Sequence, residues 1–272
     1  MRRNGRNILL AVLISVFFYS TTMLLRQYMD NAGAEESYGD ALAVAIQDSS
    51  QQVPLAAAPT EVREEKKTVW VPSPVEGDAE TESLAAIDLD ALREVNSDVM
   101  GWIYIPDTKI NYPLMRGEDN EYYLKHAWDH RKTSVGSIFL EQNNNADLMD
   151  FNTILYGHNM NDGSMFAGLR KFSDQGYWEK HPYVYLVTEA GVYRYDIFAA
   201  YKAPVDSVAY GLSFREAQTK AEFLLYALEN SKIQTGISPG GYDRILTLST
   251  CSGAGYAHRW VVQARLKMVE AE

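Results

Sequence analysis

Short β-strand segments separated by turn residues dominate the chain from about residue 99 onward, and this alternation most limits the fold. Trp102–Ile105, Ser137–Leu140 and Asn152–Tyr156 are rich in β-branched and aromatic residues, and turn residues soon follow each of them. Two longer runs, Tyr183–Val187 and Val192–Tyr201, are joined by a turn that contains Gly and predict a hairpin. Many short strands with such turns indicate a mostly β domain, either a barrel or a sandwich, with a few helices added.

Two further strands and two helices complete the predicted domain. Strands Ile245–Thr250 and Trp260–Leu266 flank Cys251 and a loop of small residues. A capping-box pattern begins a helix at Ser213, and apolar residues then recur at helical spacing to about Asn230. A shorter helix is expected from Leu84 to Val95, and it marks the start of the folded domain.

The N-terminal region has a different character. Ile8–Leu25 is a stretch without charged residues, with Arg2, Arg3 and Arg6 before it. A spanning helix needs about 20 mainly apolar residues, and a basic cluster before it favours a cytoplasmic N-terminus. The alternative is a cleaved signal peptide, but its apolar region is usually only about 7–15 residues long. We therefore expect residues 1–34 to form a cytoplasmic tip and a transmembrane signal-anchor.

Residues 35–83 are rich in Ala, Glu, Ser, Gln and Pro, and they lack an apolar period. Such a segment cannot bury enough surface to offset the entropy of ordering, so it is predicted to be a flexible acidic extracellular stalk. Residues 84–272 then form one folded domain. The whole chain has a net charge of −11, which argues against nucleic-acid binding, because Lys and Arg dominate contacts to phosphates.

Three chemically useful side chains fall at predicted strand ends. Cys251 ends one strand, His158 ends another, and Arg259 begins the strand after the cysteine loop. A thiolate is a strong nucleophile, and a nearby imidazolium or guanidinium increases its population. Taken singly, each residue is more often structural. One free cysteine in an exported domain, however, favours a reactive thiol, and it excludes an intramolecular disulfide or a multi-cysteine zinc site.

The local motifs resemble those of the sortases, membrane-anchored cysteine transpeptidases of mainly Gram-positive bacteria. The motif TLSTC ending at Cys251, the downstream Arg259, and YGHN around His158 are similar to the active-site signature of that family. DNEYYLKH (Asp119–His126) and GSIFLE (Gly136–Glu141) resemble class B in particular. The similarity covers Leu84 to Lys267. It implies a closed β-barrel of about eight strands, with an N-terminal helix and a helix between the sixth and seventh strands.

The resemblance also implies roles for individual residues. Cys251 would be the nucleophile, His158 the general acid and base, and Arg259 the clamp for the substrate and the oxyanion. The residues implied to line the sorting-signal groove are Asn120, Leu124, Tyr156 and Ser249. His258 directly precedes Arg259, but we prefer His158, because it lies in the YGHN motif and because alternation along the strand would point His258 to the face opposite Arg259.

The implied activity is cleavage of a C-terminal pentapeptide sorting signal in secreted proteins. The Thr carboxyl would pass through a thioester to an amine of a peptidoglycan precursor or a pilin-like lysine. We expect no cofactor and no metal, because His126 and His130 lack an evident third ligand. Two alternatives remain: a cysteine endopeptidase that releases the acyl-enzyme to water, and a non-enzymatic stalked surface-binding domain with an inert Cys251.

Overall fold

The computed structural model describes residues 2–46, 70–72, 74–75, 77, 79–251 and 257–270. In these residues the α-helices are α1 (Arg2–Ile46), α2 (Ala79–Ala85), α3 (Leu89–Val95), α4 (Gln175–Lys180) and α5 (Ala217–Asn230). The strands are β1 (Trp70–Pro72), β2 (Val99–Tyr104), β3 (Asn111–Met115), β4 (Ile138–Leu140), β5 (Asn152–His158), β6 (Tyr183–Thr188), β7 (Gly191–Pro204), β8 (Ile245–Cys251), β9 (His258–Leu266) and β10 (Met268–Glu270). Short 3₁₀ helices cover Tyr122–Leu124, Phe166–Ser173 and Val208–Tyr210.

Eight strands close into a barrel, in the order β2-β3-β4-β5-β8-β9-β7-β6, and β6 pairs back to β2. The pairs β3–β4 and β5–β8 are parallel, and the other neighbouring pairs are antiparallel. Helix α5 lies in sequence between β7 and β8, which are the sixth and seventh barrel strands. The predicted mostly β barrel of eight strands is therefore confirmed, as are its N-terminal helix and the helix before its seventh strand.

Two hydrophobic clusters fix the barrel wall from its two sides. Leu246 and Leu248 of β8 belong to the larger cluster. Ile245 belongs to a smaller cluster, together with Phe223 of α5. Because successive side chains of a strand point to opposite faces, this alternation packs one face of β8 into the main core and the other under α5. The strand that precedes the cysteine is thus held rigidly on both faces.

The predicted helix between Leu84 and Val95 is interrupted in the structure. Its later part forms α3, whereas Leu84 and Ala85 end α2, which begins at Ala79 within the predicted stalk. Asp88 caps α3 by accepting a hydrogen bond from the Ala91 N–H at 2.9 Å. An aspartate at this position satisfies a free N–H of the first turn, so a new helix begins there.

Helix α5 begins at Ala217, so the prediction that a capping box at Ser213 begins this helix is wrong. Glu216 precedes the helix in an extended conformation and makes no side-chain capping bond to the described residues. The ring of Phe214 instead packs against two other rings, with its centroid 4.7 Å from that of Phe151 and 5.2 Å from that of Phe223. This burial draws the segment around Phe214 onto the barrel and out of the helix axis, and it outweighs a cap worth about 1 kcal/mol.

The structure also differs from the stalk prediction for residues 35–46. These residues are the last part of α1, and they pack against the barrel domain, where Tyr38, Ala41 and Ala45 are buried, as is Ala34 just before them. The Trp128 Nε1–H donates to the Ser37 carbonyl at 2.8 Å, and the Ser37 hydroxyl donates to Asp129 at 2.9 Å. The predicted stalk residues 47–69 lie outside the described residues. Within the part searched, no helix is long and apolar enough to cross a membrane.

Candidate active site

Two of the predicted catalytic residues meet at the ends of adjacent parallel strands. Strands β5 and β8 pair in continuous register, from Asn152 opposite Ile245 to His158 opposite Cys251. Neighbouring strands lie about 4.7–4.9 Å apart, and directly opposed residues point to the same face. The backbone therefore brings the predicted nucleophile and the predicted acid–base residue side by side. The side chain of Cys251 and residues 252–256 lie outside the described residues.

Arg259 enters the same end of the barrel from the other side of β8. Strand β9 runs antiparallel to β8 with Val261 opposite Ser249, and the Trp260 N–H donates to the Thr250 hydroxyl at 3.0 Å. The pairing ends at Ser249 and Val261, and the same register extended by two residues would set Arg259 opposite Cys251. A guanidinium carries a positive charge and five N–H donors, so Arg259 can stabilise negative charge at this edge.

The imidazole of His158 is held by the backbone of the 3₁₀ turn that ends at Leu124. His158 Nε2 lies 2.8 Å from the Leu124 carbonyl oxygen. Since a carbonyl oxygen only accepts, Nε2 carries the proton in this contact. Nδ1 is then the nitrogen that can exchange a proton with a thiol or an amine. The turn thus selects the tautomer as well as the orientation of the ring.

Gly136 makes room for this ring. Its φ is +63°, and a Cβ there would lie 2.5 Å from the Tyr123 carbonyl oxygen and 3.0 Å from His158 Cδ2. Any side chain at this position would therefore meet backbone on one side and the imidazole on the other. The Gly136 carbonyl also accepts a 2.5 Å hydrogen bond from the Tyr38 hydroxyl of α1, so the N-terminal helix reaches the support of His158.

Asn120 and Tyr156, two of the predicted groove residues, converge on Glu141. Asn120 Nδ2 donates to Glu141 Oε2 at 2.7 Å, and the Tyr156 hydroxyl donates to the same oxygen at 3.0 Å. Tyr156 is two residues before His158 and shares its face of β5. Sequence reasoning did not single out Glu141, although it ends the GSIFLE motif and could have been noted there.

The other two predicted groove residues have more specific environments than expected. Leu124 is half-buried and contributes the carbonyl that holds His158. Ser249 shares the face of Cys251 but is only 1% exposed, and its hydroxyl is 2.9 Å from the Tyr210 hydroxyl. Tyr210 was missed because the short 3₁₀ helix that it ends has no motif around it. The described structure therefore places Ser249 beneath the surface rather than along an open groove.

A buried polar network ties together the strands that carry these residues. The Thr247 hydroxyl donates to Asn152 Oδ1 at 2.6 Å and accepts from Gln263 Nε2 at 3.0 Å, while the Tyr201 hydroxyl donates to Gln263 Oε1 at 2.9 Å. The network crosses β5, β8, β9 and β7 on the face that Cys251 shares by alternation. Its bonds are satisfied only in one register, so it fixes which residues meet at the strand ends.

The side chain of Tyr122 contacts both His126 and His130. The His126 ring stacks on Tyr122 with centroids 4.0 Å apart, and His130 Nδ1 is 3.1 Å from the Tyr122 hydroxyl. Among the described residues, no group of three or more His, Cys, Asp or Glu side chains is arranged to hold a metal ion.

Comparison with known proteins agrees with this geometry. The Sortase domain family matches residues 103–267. Sortase B of Listeria monocytogenes is 39% identical over 164 residues, which are 60% of this chain and 67% of that protein. Sortase B of Staphylococcus aureus is 33% identical over 165 residues, covering 61% of this chain and 68% of that protein.

Solved structures give the same result. A Staphylococcus aureus sortase B–substrate complex aligns with a TM-score of 0.64 at 33% identity, covering 66% of this chain and 85% of that one. Sortase B of Bacillus anthracis in complex with AAEK1 aligns with a TM-score of 0.68 at 29% identity, covering 88% of this chain and 98% of that one. The chain therefore belongs to the sortase family, in class B, whose members are cysteine transpeptidases.

Proposed function

We propose that this class B sortase is anchored in the cell membrane and acts on secreted proteins outside the cell. It cleaves their C-terminal pentapeptide sorting signal and joins the Thr carboxyl to an amine of the cell wall or of a pilin-like lysine. The register that sets His158 opposite Cys251, with Arg259 arriving at the same edge, supports this proposal most strongly. Solved relatives support the two substrates, because Staphylococcus aureus sortase B is known in a substrate complex and sortase B is also known in a complex with triglycine.

The chemistry assigns one role to each of three residues. The Cys251 thiolate attacks the Thr carbonyl carbon, a C–S bond forms, and Arg259 stabilises the oxyanion. His158 then gives its Nδ1 proton to the leaving amine as the C–N bond breaks, which leaves a thioester. The acceptor amine attacks the thioester, returns a proton to His158 and releases the thiolate.

Membrane anchoring is supported by the start of the chain. The stretch Ile8–Leu25 has no charged residue, and it includes residues 8–11, whose side chains lie outside the described part. The described side chains that follow are unusually exposed for apolar groups, with Phe17 at 68% and Leu24 at 68%. Contact with water disfavours such an exposed apolar surface, whereas the interior of a bilayer favours it. Deleting residues 8–25 is expected to move the protein from the membrane fraction to the soluble fraction, and a deletion variant that stays in the membrane would contradict the anchor.

The activity is tested with the full chain in detergent micelles and a panel of fluorogenic sorting-signal peptides. Wild type and Cys251→Ala are compared with and without an added amine such as triglycine. We expect one peptide to be cleaved only by the wild type, with the Thr carboxyl joined to the amine. A product that carries a free carboxyl despite saturating amine would instead identify an endopeptidase.

Two further experiments separate the remaining possibilities. If the chain were a non-enzymatic binding domain with an inert Cys251, the thiol would resist alkylation in the native protein, because buried structural cysteines do not react. Arg259→Lys keeps the charge but loses the bidentate fork, so we expect a large loss of kcat. Full activity in this variant would remove Arg259 from its proposed role.

A further inference from the structure

Glu141 is a buried carboxylate that accepts four hydrogen bonds from groups among the described residues. It is 5% exposed, and its Oε2 accepts from Asn120 Nδ2 and the Tyr156 hydroxyl. Its Oε1 accepts from the Asn143 N–H at 3.2 Å and from Asn143 Nδ2 at 2.9 Å. A carboxylate has about four acceptor sites, so these donors fill it. Among the described residues, no cation lies within ion-pair distance of it.

We propose that Glu141 is a positioning residue, which orients Asn120 and Tyr156 for the sorting-signal peptide without touching it. The inference rests on the proposed function, since it assigns a cause to the orientation of two residues in the proposed groove. Both residues are half-buried, so each still presents part of its side chain to solvent. Tyr156 lies two residues from His158, which is about 6.6 Å along the strand. Tyr156 and Asn120, which both donate to Glu141, therefore lie within one or two peptide residues of the reacting centre.

The hydrogen bonds decide which polar groups the two residues can offer. Asn120 Oδ1 accepts from the Gln142 N–H at 2.9 Å while its Nδ2 donates to Glu141, so the amide is held in one of its two flipped orientations. The Tyr156 hydroxyl gives its only proton to Glu141 and so faces other groups as an acceptor. Glu141 thus fixes one N–H donor and one hydroxyl acceptor beside each other in the groove.

A second carboxylate on the same loop provides a matched control. Asp150 accepts from Asn144 Nδ2 at 2.8 Å and from the N–H and Nδ2 of Asn145 at 2.7 and 2.6 Å. It supports residues 141–150 from the opposite end, and its hydrogen-bond partners among the described residues, Asn144 and Asn145, are not proposed groove residues. Asp150→Asn therefore loosens the loop without acting on Asn120 or Tyr156.

The experiment compares Glu141→Gln with Asp150→Asn in the full chain. The Gln side chain keeps the shape of Glu, but its NH₂ faces donors where an oxygen accepted. We expect kcat/KM for the cleaved peptide to fall about ten- to a hundredfold in Glu141→Gln, mainly through KM, as for the loss of hydrogen bonds to a charged group. The alkylation rate of Cys251 should stay within about twofold of wild type, because the Cys251–His158 edge is not altered. Asp150→Asn should change stability but not KM.

A double-mutant cycle separates positioning from a general structural effect. In a Tyr156→Phe background, Glu141→Gln should cost clearly less than it does in wild type, because one of the groups it orients is already gone. Equal losses in both backgrounds, or an equal rise of KM in Asp150→Asn, would overturn the inference.

A measurement that needs no turnover keeps the inference separate from the proposed function. The side-chain amide resonances of Asn120, assigned by their loss in Asn120→Ala, should shift and broaden in Glu141→Gln. If the wild type cleaves no peptide, the proposed function fails, and unchanged Asn120 resonances would still show independently that Glu141 does not orient this amide. If the wild type is active and the resonances do not change, only the positioning role is refuted.

Discussion

Substituting Gly136 by Ala should damage both the stability of the domain and the support of His158. The φ of +63° costs an alanine about 1–2 kcal/mol in the left-handed region. The new Cβ would also lie 2.5 Å from the Tyr123 carbonyl oxygen, where ordinary contact begins at 3.4 Å, so about 0.9 Å of backbone movement is needed. Overpacking of this kind adds about 1–3 kcal/mol. The expected total is therefore about 2–5 kcal/mol.

The same movement reaches the catalytic edge through Leu124, which follows Tyr123. A shift of about 0.9 Å along the bond would stretch the 2.8 Å contact between His158 Nε2 and the Leu124 oxygen to about 3.7 Å. This exceeds the hydrogen-bond range, and a misplacement of about 1 Å can cost about 100-fold in rate. We therefore expect kcat to fall while the KM of the peptide changes little.

Gly236→Ala provides the control for backbone strain. Gly236 has a φ of +73°, but a Cβ added there would meet no heavy atom of the described residues within 4 Å, so only the strain of about 1–2 kcal/mol applies. Urea unfolding measures the stability of both variants, and peptide cleavage measures their kcat. Equal losses of stability in the two variants, together with an unchanged kcat in Gly136→Ala, would refute the proposed role of Gly136.

Three further predictions test other parts of the structure. Tyr38→Phe removes the donor to the Gly136 carbonyl and should lower the free energy of unfolding by about 1–3 kcal/mol, measured by urea; no loss would mean that α1 is not docked as described. Thr247→Val removes the partner of the buried atoms Asn152 Oδ1 and Gln263 Nε2 and should cost about 2–4 kcal/mol, whereas Thr153→Val, which loses one 3.3 Å bond, should cost less; the reverse order would contradict the network. Burial raises the pKa of Tyr112 to about 12. Its neutral form thus stabilises the fold fully below about pH 10, and this contribution is lost as the pH rises toward 12, so Tyr112→Phe should make the urea midpoint less sensitive to pH in that range.

The sequence predicted most of the barrel because its strands carry strong local signals. Apart from small shifts at their ends, all the barrel strands except β3 coincide with β-branched and aromatic runs, as in Tyr183–Thr188 and Gly191–Pro204. Strand β3 lacks such a signal, because Pro113 normally argues against a central strand. In the structure Pro113 pairs opposite Trp102 of β2 within the barrel. Tertiary pairing here overrides a local preference.

The candidate site could likewise be predicted only in part from the sequence. That Cys251 and His158 end their strands could be read from the sequence, but that these strands are parallel neighbours is a long-range property, with β6, β7 and α5 between them in the chain. The hydrogen bonds from Asn120 and Tyr156 to Glu141 join positions far apart in sequence, so no local pattern predicts them. The motif identifies the reacting groups, whereas the residues that orient them emerge only when the barrel closes.

The sequence at the end of α1 has the residue spacing of a docked helix, but its composition is that of a solvated segment. The buried residues Ala34, Tyr38, Ala41 and Ala45 follow helical spacing, yet three of them are alanines and the surrounding residues are acidic. Small side chains bury little apolar area each, so this helix depends on its hydrogen bonds to Gly136, Trp128 and Asp129 for docking. These partners lie on the same loop that supports His158. A chain that begins at residue 84 therefore lacks part of the support of its own active site, and we expect it to have a lower kcat and a lower urea midpoint than a chain that begins at residue 30. If the two chains proved equal in both measurements, the contact between α1 and the His158 support would have no functional weight.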